Sequence, residues 1–149
     1  MAIAHEAGRK VAFTLSDIAC ITPHRAEMTA MLESGAIDLL FANEKEAAVL
    51  AREAGEPSDL AARLAVGGHE AVVTAGSGQA AWSNGEAASA LAAEPLDRPE
   101  LDTTGAGDAF AAGFLAARAR DAAPEVCLRD GHALAAAACR TTGGRPEPR

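Results

Sequence analysis

The residues best placed to do chemistry lie in Leu101–Leu115, LDTTGAGDAFAAGFL, where two glycines flank an alanine and an aspartate follows them. Glycine is favoured where the backbone takes an unusual conformation or must approach another group closely. Gly105, Ala106 and Gly107 open an apolar run with helical character. Their N–H groups would lie free at a helix amino end, where the summed dipole also favours an anion. Such a place can cradle a phosphate. An aspartate there competes with the phosphate for donors unless it has its own task. That task would be to accept a proton from a hydroxyl while the N–H groups stabilise charge on a phosphoryl group in transfer. The plainer reading makes Asp108 a first-turn carboxylate that complements the dipole, and the residues alone leave both readings open.

Asn43 and Glu46 form a second candidate, directly after the apolar run IDLLFA. Asn is a preferred helix N-cap, and Glu three residues later can complete a capping box. An amide and a carboxylate side by side at a strand's carboxyl end could also hold a hydrated Mg²⁺ and orient a phosphate. The two roles are compatible. The third candidate is VVTAGSGQA, in which Thr74, Gly76 and Gly78 follow another apolar run. Two glycines separated by one residue fit an ordinary turn as well as the border of a nucleotide. The chain has no GxxxxGK[ST], so any nucleotide is held without a phosphate-loop lysine.

Positioning these residues requires strands alternating with helices. KVAFTLS reads as a short strand after a helix that ends at Gly8, and PHRAEMTAMLES as a helix with Met28, Met31 and Leu32 at helical spacing. IDLLFA is a second, buried strand. The helix NEKEAAVLAREAG follows and stops at Gly55, and SDLAARLAV closes at Gly67-Gly68 before the strand EAVVTA. AAWS and EAASALAAE flank Asn84-Gly85, a hairpin signal. Two helices, about Gly107–Arg120 and Pro124–Arg140, close the chain. This order implies an α/β fold, a mostly parallel sheet flanked by helices with a hairpin at one edge. Ligands of such sheets bind beyond the carboxyl ends of the strands, where all three candidates fall. Gly113 inside its helix implies close approach of another backbone. Phe110 and Phe114, four residues apart, read as core anchors.

Composition limits the function classes. At 149 residues the chain is the size of one ordinary domain, and one core is expected. Apolar residues make up 49% but aromatic ones only 3%, so elements must pack through close backbone approach. A formal charge of −8, with Lys10 and Lys45 the only lysines, argues against nucleic acid as a partner. Cys20, Cys127 and Cys139 read as reduced, buried small residues, and none of His5, His24, His69 and His132 is a catalytic candidate. No apolar run approaches the roughly 20 residues a membrane span needs, and no signal segment opens the chain. The expectation is a cytoplasmic protein with no membrane partner, ending in the polar stretch TTGGRPEPR, residues 141–149.

Asp102-Thr103-Thr104-Gly105-Ala106-Gly107-Asp108 with AFAAGFL resembles the carboxyl-terminal signature of the ribokinase-like (PfkB) carbohydrate kinase family. Asn43-x-x-Glu46 is similar to that family's N-x-x-E motif, and VVTAG to its strand and turn before the nucleotide. The resemblance implies ATP-dependent phosphoryl transfer to a small molecule. Asp108 is then the catalytic base and Gly105, Ala106 and Gly107 the anion hole. Asn43 and Glu46 would serve Mg²⁺ through water, Thr74 and Gly76 would border ATP, and the backbone around Asp102 and Thr104 would form the monovalent-cation (K⁺) site of some members. VAFTLSD and GGRPE resemble bacterial adenosine kinases of the family, with Ser16 where sugar kinases carry the asparagine of a D-x-N pattern. A nucleoside acceptor is therefore expected before a sugar. Gln79 stands where the family's turn usually has glycine. Members of the family are about twice as long, which implies a carboxyl-terminal half lacking the acceptor side and lid. Its partner would be a missing amino-terminal half or a second copy, and an alternative is a nucleotide-binding remnant without turnover.

Overall fold

The computed structural model describes residues 1–65, 67–97 and 99–143, so the end of the polar tail, including most of GGRPE, lies outside the described residues. The elements alternate as the pattern requires: α1 (Ala2–Glu6), β1 (Ala12–Thr14), α2 (Ile18–Glu33), β2 (Leu39–Asn43), α3 (Glu44–Ala51), α4 (Pro57–Leu64) and β3 (Glu70–Thr74). The hairpin β4 (Gln79–Ser83) and β5 (Ala88–Ala92) follows, then α5 (Ala106–Arg118) and α6 (Pro124–Ala138). The sheet order is β1-β2-β3-β4-β5. β1 and β2 pair in parallel, as do β2 and β3, whereas β4 runs antiparallel to β3. The contacts divide the chain into two compact units, Met1–Gly76 with Ala80–Ser89 and Ser77–Gln79 with Ala90–Arg149.

In the first unit, four consecutive residues of β2 and four of β3 are buried, as befits parallel strands covered on both faces. Leu40, Ala42, Ala71 and Val73 point into one apolar cluster with Ile21 and Leu60. Glu70, at the amino end of β3, is buried and accepts the Trp82 indole N–H at 2.7 Å. The hairpin closes as Asn84-Gly85 predicts: Asn84 N–H donates to the Ala87 carbonyl, and Asn84 Oδ1 accepts from Glu86 and Ala87. Gly85 takes φ +86°, with the Ala65 carbonyl oxygen 3.0 Å from where a Cβ would stand.

In the second unit, α5 buries Ala109, Phe110, Gly113, Phe114 and Ala117, the helical spacing expected of an apolar stripe. A Cβ on Gly113 would come within 3.0 Å of both the Asp130 carbonyl carbon and the Gly131 Cα of α6. This is the close approach the glycine implied. Phe110 stacks at 6.5 Å on Phe114 and edge-on to His132 at 5.2 Å, and His132 Nε2 lies 3.1 Å from the Leu91 carbonyl.

The structure corrects three expectations. α2 begins at Ile18 and not at Pro23, because Asp17 caps it by accepting the Ala19 N–H at 2.8 Å. α3 ends at Ala51, where Arg52 turns left-handed at φ 60°, before Gly55 is reached. Cys20 is exposed, whereas Cys127 and Cys139 are buried. No helix among the described residues is long and apolar enough to cross a membrane.

Candidate functional site

In the first unit the candidate residues gather at the carboxyl ends of the parallel strands. Asn43 ends β2 and Thr74 ends β3, and the two are register partners. Gly76 follows at φ +53° in the turn toward β4. Ser16 lies two residues beyond the end of β1 and has φ 60°, a region few non-glycine residues enter. Asp17 N–H donates back across it to the Leu15 carbonyl at 2.7 Å. The result is a γ-turn of the positive-φ kind, a strained form that functional sites tend to retain.

Asn43 and Glu46 form a complete capping box. Asn43 Oδ1 accepts from Lys45 N–H at 3.0 Å and Glu46 N–H at 2.9 Å, and Glu46 Oε2 accepts the Asn43 N–H at 3.0 Å. Glu46 is buried, so one side of its carboxylate belongs to the helix start. No group of three or more His, Cys, Asp or Glu among the described residues could enclose a metal ion.

In the second unit the remaining candidates lie around the amino end of α5. Gly105 is the N-cap at φ +75°, the left-handed conformation that favours glycine, and no side chain caps the helix. Gly107 has an ordinary helical backbone, and a Cβ on it would meet nothing within 4 Å. Neither conformation nor packing demands glycine there, although it costs the helix up to about 1 kcal/mol relative to alanine. The Ala106 N–H, expected among the free donors, is taken by the Thr103 carbonyl at 3.1 Å; the remaining donors of the first turn and the bare backbone fit an anion cradle. Asp108 follows on the first turn and is exposed.

Asp102 is not idle in this arrangement. Its Oδ1 accepts the Thr104 N–H at 2.9 Å and its Oδ2 accepts the Gly143 N–H at 3.0 Å. The Thr104 hydroxyl first, then these two backbone donors, hold its carboxyl below the ordinary value. With both oxygens engaged, a K⁺ site here would rest on the backbone carbonyls around Asp102 and Thr104. Sequence reasoning missed Gly143 as Asp102's partner, because no local pattern links residues so far apart.

A cleft of ≈ 490 Å³ lined by Glu53, Gly55, Asp59, Leu60 and Arg63 contains none of the candidates. A second, of ≈ 610 Å³, is lined by Asp97, Pro99, Leu101 and Arg140, beside the loop that leads into α5.

The family model described as pfkB family carbohydrate kinase matches residues 2–148. The chain is similar to the adenosine kinase of Sinorhizobium meliloti, with 34% identity and a TM-score of 0.90 over 97% of this chain and 44% of that one. It is similar to a probable sugar kinase of Rhizobium etli CFN 42, with 33% identity and a TM-score of 0.91 over 99% of this chain and 44% of that one. The adenosine kinase of Anopheles gambiae, in complex with P1,P4-di(adenosine-5) tetraphosphate, matches at 26% identity and a TM-score of 0.80, covering 98% of this chain and 48% of that one. The chain thus spans less than half the length of each of these structures.

Proposed function

The chain belongs to the pfkB family of carbohydrate kinases, and we propose that it carries the phosphate-handling side of an ATP-dependent phosphotransferase. The acceptor is a hydroxyl of a nucleoside, adenosine before a sugar. The observation that carries this reading is the amino end of α5. There a left-handed Gly105 and a Gly107 open to its surroundings precede an exposed Asp108.

Mg·ATP, when bound, supplies the phosphoryl group. The N–H groups of Gly105 and Gly107 stabilise the charge on that group as it transfers, aided by the helix dipole, while the Ala106 N–H is shared with the Thr103 carbonyl. Asp108 accepts the proton of the attacking hydroxyl. Thr74 and Gly76 border the nucleotide, and Asn43 and Glu46 orient the hydrated metal from the ends of neighbouring structural elements. Ser16, held in its strained turn, is a further nucleotide-binding residue of the first unit. The site acts on small molecules, and a second polypeptide segment or a second copy would supply the acceptor side.

The test is transfer of labelled phosphate from Mg·ATP to adenosine and a panel of sugars, with Asp108→Asn beside the wild type. A positioned base contributes about 10²–10⁴-fold, so a loss on that scale with an unchanged melting temperature is expected. Turnover that Asp108→Asn leaves intact would discard the base. A second reading, for these 149 residues taken alone, is nucleotide binding without turnover. That reading predicts Mg·ATP affinity but no labelled product with any acceptor.

A further inference from the structure

The loop that delivers the cradle is fastened to the far end of α6. Leu101 N–H donates to the Cys139 carbonyl at 2.9 Å, Arg140 pairs with Asp97 at 2.7 Å, and Gly143 N–H donates to Asp102 Oδ2 at 3.0 Å. The first two contacts hold the loop's approach. Only the third reaches the residues that shape the cradle, because Asp102 Oδ1 takes the N–H of Thr104, the residue before Gly105. From there the register is fixed: Ala106 N–H bonds to the Thr103 carbonyl at 3.1 Å, and Ala109 N–H to the Gly105 carbonyl at 2.8 Å.

We propose that Asp102 is a positioning residue for the phosphate cradle, its carboxylate clamping the loop before α5 to the segment after α6 through Thr104 and Gly143. The proposal rests on reading Gly105–Gly107 as that cradle. Its charge suits the role, since hydrogen bonds to an ionised acceptor are stronger than neutral ones. A carboxylate offers the two opposed oxygens that two separate backbone donors need, whereas an asparagine offers one.

The experiment records amide resonances of Gly105 and Gly107 in the ¹⁵N-labelled full chain, wild type, Asp102→Ala, Asp102→Asn, Gly143→Pro and the Asp102→Ala/Gly143→Pro double variant. Gly143→Pro removes the donor and cannot adopt the φ of +90° found there. It leaves Asp102 and its Thr104 bonds in place should Asp102→Ala fail to fold. Both single changes should move the two resonances, with Asp102→Asn intermediate, and the double variant should move them less than the sum, as expected of residues sharing one interaction. Mg·ATP affinity should fall about tenfold for Asp102→Ala, the scale of one lost charge-assisted hydrogen bond. Gly105 and Gly107 resonances indifferent to Gly143→Pro would overturn the clamp. So would resonances that respond to K⁺ against choline in the wild type but not in Asp102→Asn, which would make Asp102 a cation ligand. If Mg·ATP moves neither resonance in the wild type, the cradle reading fails. The ligand-free shifts still decide whether Asp102 sets the loop.

Discussion

Asn43 of β2 and Thr74 of β3 are register partners at the last position of their parallel ladder. They stand one strand spacing apart, about 4.8 Å, at the end of the sheet where α/β folds bind ligands. Asn43 also caps α3 with Glu46. The helix cap and the proposed metal site therefore share Asn43 and Glu46, and mutation can separate the two roles.

Glu46→Gln makes the separation. Glutamine keeps an acceptor oxygen for the Asn43 N–H, so the cap survives and stability falls by under about 1 kcal/mol, the value of a carboxylate near a helix amino end. The charge that would orient hydrated Mg²⁺ is lost. Mg·ATP affinity should then lose its dependence on Mg²⁺ concentration, while Asn43→Ala, which removes the cap itself, costs about 1 kcal/mol in urea unfolding. A Mg²⁺ titration of Glu46→Gln that superimposes on the wild type would confine Glu46 to capping.

Gly107→Ala should move stability and binding in opposite directions. The added methyl enters space with no atom within 4 Å, and alanine favours the helix by up to about 1 kcal/mol. The melting temperature rises slightly. A methyl group over the free N–H groups blocks an approaching phosphate, so ATP affinity drops at least tenfold if one cradle hydrogen bond is lost. Unchanged affinity in the stabilised variant would mean that no phosphate comes to this turn.

Gly113→Ala and Gly131→Ala test the α5–α6 contact. At Gly113 the new methyl meets the Asp130 carbonyl carbon at 2.9 Å, backbone on a neighbouring helix that cannot step aside. At Gly131 it meets the Phe110 ring at 2.9 Å, and a ring can rotate away. Overpacking costs about 1–3 kcal/mol, offset in part by alanine's helix preference. Denaturant midpoints should fall for both, and further for Gly113→Ala. The reverse order would show that Phe110 is the more rigid neighbour.

Much of this arrangement was legible because its signals are local. The Asn84-Gly85 hairpin, the Asn43–Glu46 box and the left-handed Gly105 each follow from neighbouring residues with one preferred conformation. The start of α2 was not, since Pro23 imitates a first-turn proline while the true cap, Asp17, lies six residues earlier. α3 ends early because Arg52 adopts the conformation expected of a glycine. The exposure of Cys20 and the Asp102–Gly143 bond depend on which segments tertiary structure brings together, and side-chain type does not encode that.

The amino end of the first unit should respond to acid through Asp38. Its Oδ2 accepts the Val11 N–H at 2.7 Å and lies 2.8 Å from His5 Nε2, tying the entry of β1 and the end of α1 to β2. The Val11 N–H chiefly, then His5, lowers the Asp38 carboxyl below its ordinary value, against the opposing effect of burial. A carboxyl with a folded-state value below its unfolded one binds more protons when unfolded. Its contribution is therefore complete above the unfolded value and is lost as pH falls through the folded one. Asp38→Asn removes this term, so urea midpoints of wild type and variant should differ at neutral pH and converge as pH drops through the carboxylate range. Asp102 titrates in the same direction, but it is present in both proteins and cancels in the difference. A gap between the two curves that stays constant with pH would show that Asp38 contributes only a neutral hydrogen bond at Val11.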